Sequence, residues 1–443
     1  MPFRTAEPER FVRFNRDRRR LLPRALLLGL LAGGVAVVFH LGLDAAEAWR
    51  ARLQDFAHGY ASPGLAVAAA ASALCVVLAG WLVERFAPEA SGSGIPQVKA
   101  VLLGPRGFRW ARVLAVKFLS GLIGIGGGLA LGREGPTVQM GGAVAEGLAA
   151  GLGASPDERR ALIAAGAGAG LAAAFNAPLS GLIFVVEELR GQCSSLEFFA
   201  AAIACLAADT VCRLALGELP AFRVEISVIP PLSLLPAFVV LGMSCGLLGV
   251  AFNRALLAVQ RLRPNRPGLR KAFWLGWGGS IGLVGWLAPE LLGGGQGLVG
   301  SILDGEASPA LNLVALYFAA RFVLTIGSYG TGAAGGIFSP ILLLGALLGL
   351  GSGMLIQQMA PLLPVEPRVF AVAGMAAFFT GVVRAPLTGV VLMIEMTGNY
   401  ALILPLLAAC FAALVVADRL HDLPIYEALL ERELRRVKAR RSR

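Results

Sequence analysis

Charge is scarce in this sequence. Asp, Glu, Lys and Arg together make up 15% of its 443 residues, a fraction rarely met in a large soluble protein. Histidine is rarer still: His40, His58 and His421 form no cluster. The six cysteines, Cys75, Cys193, Cys205, Cys212, Cys245 and Cys410, are scattered through mostly apolar context without metal-ligand spacing. They read as small buried hydrophobes, and neither a metal nor another cofactor is expected. A cleavable signal peptide is not expected either, because the basic start lacks a short apolar core followed by a small-residue cleavage site. The glycine-rich runs GIGGGLALG and GAGAG lack the G-x-x-x-x-G-K-[ST] arrangement of a phosphate loop, which argues against nucleotide binding. There is no three-residue collagen period, and the chain is too hydrophobic to be disordered.

What is present is apolar. Hydrophobic residues make up 56% of the chain, with a mean hydropathy of +0.72. Apolar stretches run at about 25–45, 64–82, 113–131, 161–186, 198–216 and 231–252, then at 272–288, 311–327, 341–360, 369–396 and 401–417. Several approach the length of a simple span, whereas a β-barrel would show short alternating segments. The fold class is therefore an all-α polytopic membrane protein. Its 57 glycines and 25 prolines suit close helix packing and interrupted spans.

The net charge of +11 is concentrated at particular places. Residues 1–24 form a basic N-terminal segment, 25–252 a first membrane half, 253–271 a basic inter-half segment, 272–430 a second half and 431–443 a basic tail. The positive-inside rule puts both termini on the cytoplasmic side. Such charges suit anionic lipid, and no nucleic-acid partner is called for.

Three Gly- and Pro-interrupted breaks stand out: GSGIP at 92–96, GREGP at 132–136 and GGIFSP at 335–340. Membrane backbone leaves the helical state only where protein or an aqueous cavity receives it. The unpaired amides of helix N-termini hold an anion that must also leave. Glu134, an acidic residue between long apolar runs, is expensive unless used. Its charge competes with a transported anion, and protonation removes it, giving a gate and a proton-binding step. The competing reading is a salt bridge to Arg133.

The segment APLSGLIFVVEE at 177–188 reappears as APLTGVVLMIEM at 385–396, with five of twelve positions identical. Paired broken segments in two halves point to a midplane ion site. Pro178 starts a helix that Asn176 either caps or supports by satisfying backbone in the break. At its far end, Glu187 and Glu188 admit an interfacial role paired with Arg190.

With these motifs in the order GSGIPQ, GREGPTVQ, GGIFSP and PIY at 424–426, the chain resembles the CLC family of chloride channels and chloride/proton exchangers from about residue 60 to 430. The resemblance implies an inverted-topology repeat of tilted and interrupted helices, and a homodimer with one ion pathway per subunit. It also implies that Ser93 and Tyr426 coordinate a central chloride through hydroxyls, while Gly135, Ile337 and Phe338 lend backbone amides. Glu134 corresponds to the external gating glutamate and Glu188 to the internal proton-transfer glutamate of exchangers. Retention of Glu188 favours a bacterial inner-membrane chloride/proton antiporter over a passive, voltage- or pH-gated chloride channel. Ser93, where the nitrate-preferring branch has proline, favours chloride. No paired regulatory domains are expected after Tyr426.

Overall fold

The computed structural model describes residues 6–104, 107, 109–191, 193–218, 222, 230–264, 266–306 and 309–441. The first series of helices comprises α1 (Ala6–His58), α2 (Ala61–Phe86), α3 (Ile95–Leu103), α4 (Trp110–Gly126), α5 (Glu134–Gly151), α6 (Pro156–Phe175), α7 (Pro178–Phe184) and α8 (Ser195–Leu216). The second comprises α9 (Leu235–Leu262), α10 (Pro267–Leu287), α11 (Gln296–Leu303), α12 (Leu311–Gly330), α13 (Phe338–Met359), α14 (Pro367–Val383), α15 (Pro386–Thr397), α16 (Ile403–Arg419) and α17 (Ile425–Arg441). Among the described residues there is no sheet, only two isolated bridges.

Seven of the described helices are long and apolar enough to cross a membrane. Two of the other apolar runs, 161–186 and 369–396, are each split between two helices. The 161–186 run breaks between α6 and α7, where Asn176 takes a left-handed conformation (φ 53°) as the C-cap of α6. The N-cap of α7 is Ala177, without a side-chain bond, so Asn176 does not cap that helix. Its amide instead donates at 3.4 Å to the carbonyl of Gly217, the C-cap of α8 and outside the break. The basic N-terminal stretch, from residue 6 onwards, is continuous with the first span as one 53-residue helix. Local signals start other helices: Ser155 with Glu158, and Ser194 with Glu197, form capping boxes at α6 and α8.

Packing repeats with a shift of eight helices. α5 against α6 is matched by α13 against α14, α6–α8 by α14–α16, and α1–α8 by α9–α16. In both copies of the first pair, glycine lets the helix backbones touch. A Cβ on Gly141 or Gly166 would run into the backbone of the other helix, and Gly345 and Gly374 stand in the same relation. Small residues at such contacts replace the hydrophobic drive that lipid cannot supply. The outer faces keep exposed apolar side chains, among them Leu206, Leu214, Val240, Leu247 and Val323, as contact with hydrocarbon requires.

The repeat is inverted. Helices α7 and α15 lie in contact, and Glu187, just past the end of α7, bonds the first turn of α15. Glu395, near the end of α15, bonds the first turn of α7. Each C-terminal end therefore meets the other's N-terminal end, which only antiparallel helices permit.

Candidate functional site

The three interrupted segments meet and are sewn together by backbone hydrogen bonds. Gly92 N donates to Ala333 O and Gly335 N to Gly92 O, both at 3.1 Å. Gly132 and Gly336 exchange two bonds of 2.7 Å. The 333–336 stretch thus lies between the other two, and the N-termini of α3, α5 and α13 converge. The close approach depends on glycine at 135, where a Cβ would sit 2.5 Å from Ser93 Oγ and 3.0 Å from Gly336 Cα.

Helix geometry leaves amides available here. The first backbone bond across the start of α5 runs from Thr137 N to Arg133 O, and that of α13 from Ile341 N to Ile337 O, each 3.0 Å. The N–H groups of Gly135, Ile337 and Phe338 precede those donors and are not used within their helices. Phe338 is fixed by aromatic contacts to Phe379 and Phe175, with centroids at 4.6 and 5.2 Å.

Ser93 and Tyr426 are both buried, and the hydroxyl of each lacks a hydrogen-bond partner. They are neighbours, although 333 positions separate them in sequence. Two adjacent orphan hydroxyls beside helix N-termini form a polar lining that a desolvated anion fits. Ser93 N also donates to Tyr329 Oη at 3.4 Å.

Glu134 is fully buried at the first position of α5. Its carboxylate accepts from Ser339 Oγ at 2.5 Å, from Gln296 Nε2 at 3.1 Å and from Ser339 N at 3.3 Å. These contacts, rather than a salt bridge to Arg133, hold it. Arg133 instead occupies the N-cap position of α5, without a side-chain capping bond, and lines a cavity of about 230 Å³ with Asp44, Glu47, Arg50 and Glu134.

Glu188 lies elsewhere, in a π turn over Val185–Arg190 that continues α7. It does not pair with Arg190, which bonds Glu197 at 2.7 Å. Instead Lys99 Nζ of α3 donates to Glu188 Oε1 at 2.8 Å and also pairs with Glu427 of α17. Lys99 and Glu188 have side chains 6% exposed, against 44% for Glu427, so the cluster leads from the interior towards the surface. The interfacial reading of Glu188 and Glu187 gives way to burial for one and helix capping for the other.

Several residues escaped the sequence reading. Lys117, fully buried in α4, donates to Gly92 O at 2.6 Å and Ala90 O at 3.0 Å, pinning the approach to α3. Lys117 stands alone within the 113–131 apolar run, the signal that could have flagged it, whereas Lys99 lies just after the GSGIPQ break, outside the apolar runs. Ser339 lies within the GGIFSP motif, whose pattern gives it no role of its own, and no sequence signal marks Gln296. Among the described residues no group of His, Cys, Asp and Glu forms a metal site.

The family model for the voltage gated chloride channel matches residues 75–418. The chain belongs to the CLC family. Similarity to CLC relatives extends over most of its length. It is 41% identical over 430 residues to the H(+)/Cl(-) exchange transporter ClcA of Vibrio parahaemolyticus serotype O3:K6, covering 95% of this chain and 91% of that one. The ClcA of Yersinia pestis bv. Antiqua is 39% identical over 429 residues, covering 95% and 89%. Among solved CLC structures, a slow cyanobacterial Cl-/H+ antiporter superposes with a TM-score of 0.89 at 37% identity, over 94% of this chain and 98% of that one. A eukaryotic CLC transporter gives 0.78 at 25% identity, over 93% and 73%. This CLC chain is accordingly an integral multi-pass membrane protein of the exchanger-like bacterial type.

Proposed function

We propose that this chain is a chloride/proton antiporter, a secondary active transporter that moves chloride one way and protons the other. One observation carries the mechanism: a fully buried carboxylate, Glu134, stands among converging helix N-termini near a pair of unpartnered hydroxyls. Ser93, Tyr426 and the amides of Gly135, Ile337 and Phe338 hold chloride as the bound, transported ion. Partial positive charge at the helix ends attracts it without the fixed cation that would trap it. Ionised, Glu134 occupies an anion position and closes the outer path. Protonation discharges it, and chloride displaces it. Catalysis of covalent chemistry has no part in this cycle, and no cofactor is needed.

Glu188 serves the proton route on the inner side. Its buried ion pair with Lys99, and the link to half-exposed Glu427, support a path from cytoplasm to interior that is separate from the chloride site. The basic residues at 13–24 and 431–443 support cytoplasmic termini in a bacterial cell membrane. A homodimer with one pathway per subunit follows from the family resemblance. A shift of eight helices between the repeats sets their junction between α8 and α9, so the basic 253–271 segment falls across the end of α9 and the start of α10.

Purified protein in liposomes, with chloride and pH recorded together, tests the reading. An imposed chloride gradient is expected to drive protons uphill. Chloride flux with no proton movement would replace the antiporter with a passive channel.

A further inference from the structure

The Glu134 carboxylate is held by more than its own helix. Gln296, the first residue of α11, directs Nε2 to Glu134 Oε1 at 3.1 Å and to Ser339 Oγ at 3.3 Å. Ser339 Oγ donates to the same Oε1 at 2.5 Å. One carboxylate oxygen therefore receives an amide and a hydroxyl from two other helices, α11 and α13.

The placement of Gln296 is built. Arg321 of α12, fully buried, donates from Nη1 to Leu291 O at 2.7 Å and Gly293 O at 3.0 Å. Gly295 enters α11 in a left-handed conformation (φ 80°), packed close to Leu343 and Arg321. This pinned turn fixes the start of α11, and with it the origin of the Gln296 side chain. Gln296 itself is half-buried and lines the 230 Å³ cavity that reaches Glu134. Its long side chain has room to swing within that cavity.

We propose that Gln296 is a positioning residue of the gate, a latch whose amide holds the Glu134 side chain closed and must let go in every transport cycle. This rests on the reading of Glu134 as the gate. Gln296 donates to the ionised carboxylate and so favours the closed, charged form over the discharged one. Other charged and titratable groups around Glu134 are Arg133 on its own segment, Asp44, Glu47 and Arg50 from α1, Glu290 from the turn before α11, and Tyr426 from α17. They remain unchanged when Gln296 alone is altered, so the comparison isolates the latch.

The test is chloride and proton flux in liposomes as a function of external pH. Gln296→Met keeps length and volume but removes the donor. The external pH of half-activation is expected to rise by about one unit, the size set by one hydrogen bond to a charged group. Flux well above the original midpoint should then rise about tenfold. Gln296→Asn keeps the amide but shortens its reach, and should shift the midpoint the same way, which guards against a folding failure of the first variant. In a Glu134→Gln background, Gln296→Met should add no further change in pH response. Midpoints equal to that of the unaltered protein in both single variants overturn the latch. Persistence of the full external pH response in Glu134→Gln overturns the gate beneath it, so the two failures are distinguishable.

Discussion

Glu187 and Glu395 hold each other's helices. The Glu187 carboxylate accepts from Leu387 N at 3.1 Å, Thr388 N at 2.7 Å and Thr388 Oγ1 at 2.8 Å at the start of α15. Glu395 accepts from Leu179 N at 2.9 Å, Ser180 N at 2.7 Å and Ser180 Oγ at 2.5 Å at the start of α7. Each helix begins with Pro at its first position and has no side-chain cap of its own. The partner half supplies the cap, with a negative charge at the positive end of the helix dipole.

Removing either carboxylate is expected to weaken the fold. Glu187→Ala and Glu395→Ala each leave two amides and a hydroxyl without an acceptor, at a cost of about 1–3 kcal/mol per variant. Near-equal losses are expected because the two caps are equivalent. Thermal unfolding in detergent checks this, and a large inequality would show that one cap is ornamental.

Chloride is expected between Ser93 and Tyr426. Crystals grown with bromide should show anomalous density between the two hydroxyls, near the starts of α3, α5 and α13. Tyr426→Ala should lower its occupancy, since one polar contact is lost. Resolved side chains with no halide there, at high bromide, would remove these residues from the ion site.

Glu134→Gln and Glu134→Ala are expected to abolish proton coupling while chloride still moves, with less dependence on external pH. Gln retains much of the shape of the side chain, whereas Ala leaves room for an additional anion. The absence of an Arg133–Glu134 salt bridge makes the expected loss functional rather than structural. Stoichiometric proton exchange in either variant would refute the obligatory gate.

Lys99 and Glu188 separate function from stability. Glu188→Gln is expected to leave chloride transport measurable and to suppress proton movement strongly. Lys99→Met removes the cation beside a buried carboxylate, and breaking such a pair costs about 3–5 kcal/mol. Combining Lys99→Met with Glu188→Gln should recover part of that loss, because the unpaired buried charge is gone. Additive unfolding losses in the double variant would show that the pair is not energetically coupled.

Much of this protein was legible in its sequence. The membrane class followed from the long apolar runs, because hydrocarbon accepts little else. The breaks at 92–96, 132–136 and 335–340 were visible because Gly and Pro act on local backbone conformation. Repetition of APL-[ST]-G with a glutamate nine residues after its Pro announced the two halves, and that glutamate proved to be the reciprocal cap. What the tertiary structure decided was partnership. Gln296, Lys99, Lys117 and Glu427 acquire their roles from residues as many as 328 positions away, as in the pair of Lys99 with Glu427. Asn176 and Glu188 had plausible local partners, and each found its bond elsewhere. Local chemistry sets where a helix can start or break. Which side chain reaches a buried carboxylate depends on how helices distant in sequence cross, and no short pattern along the chain encodes that.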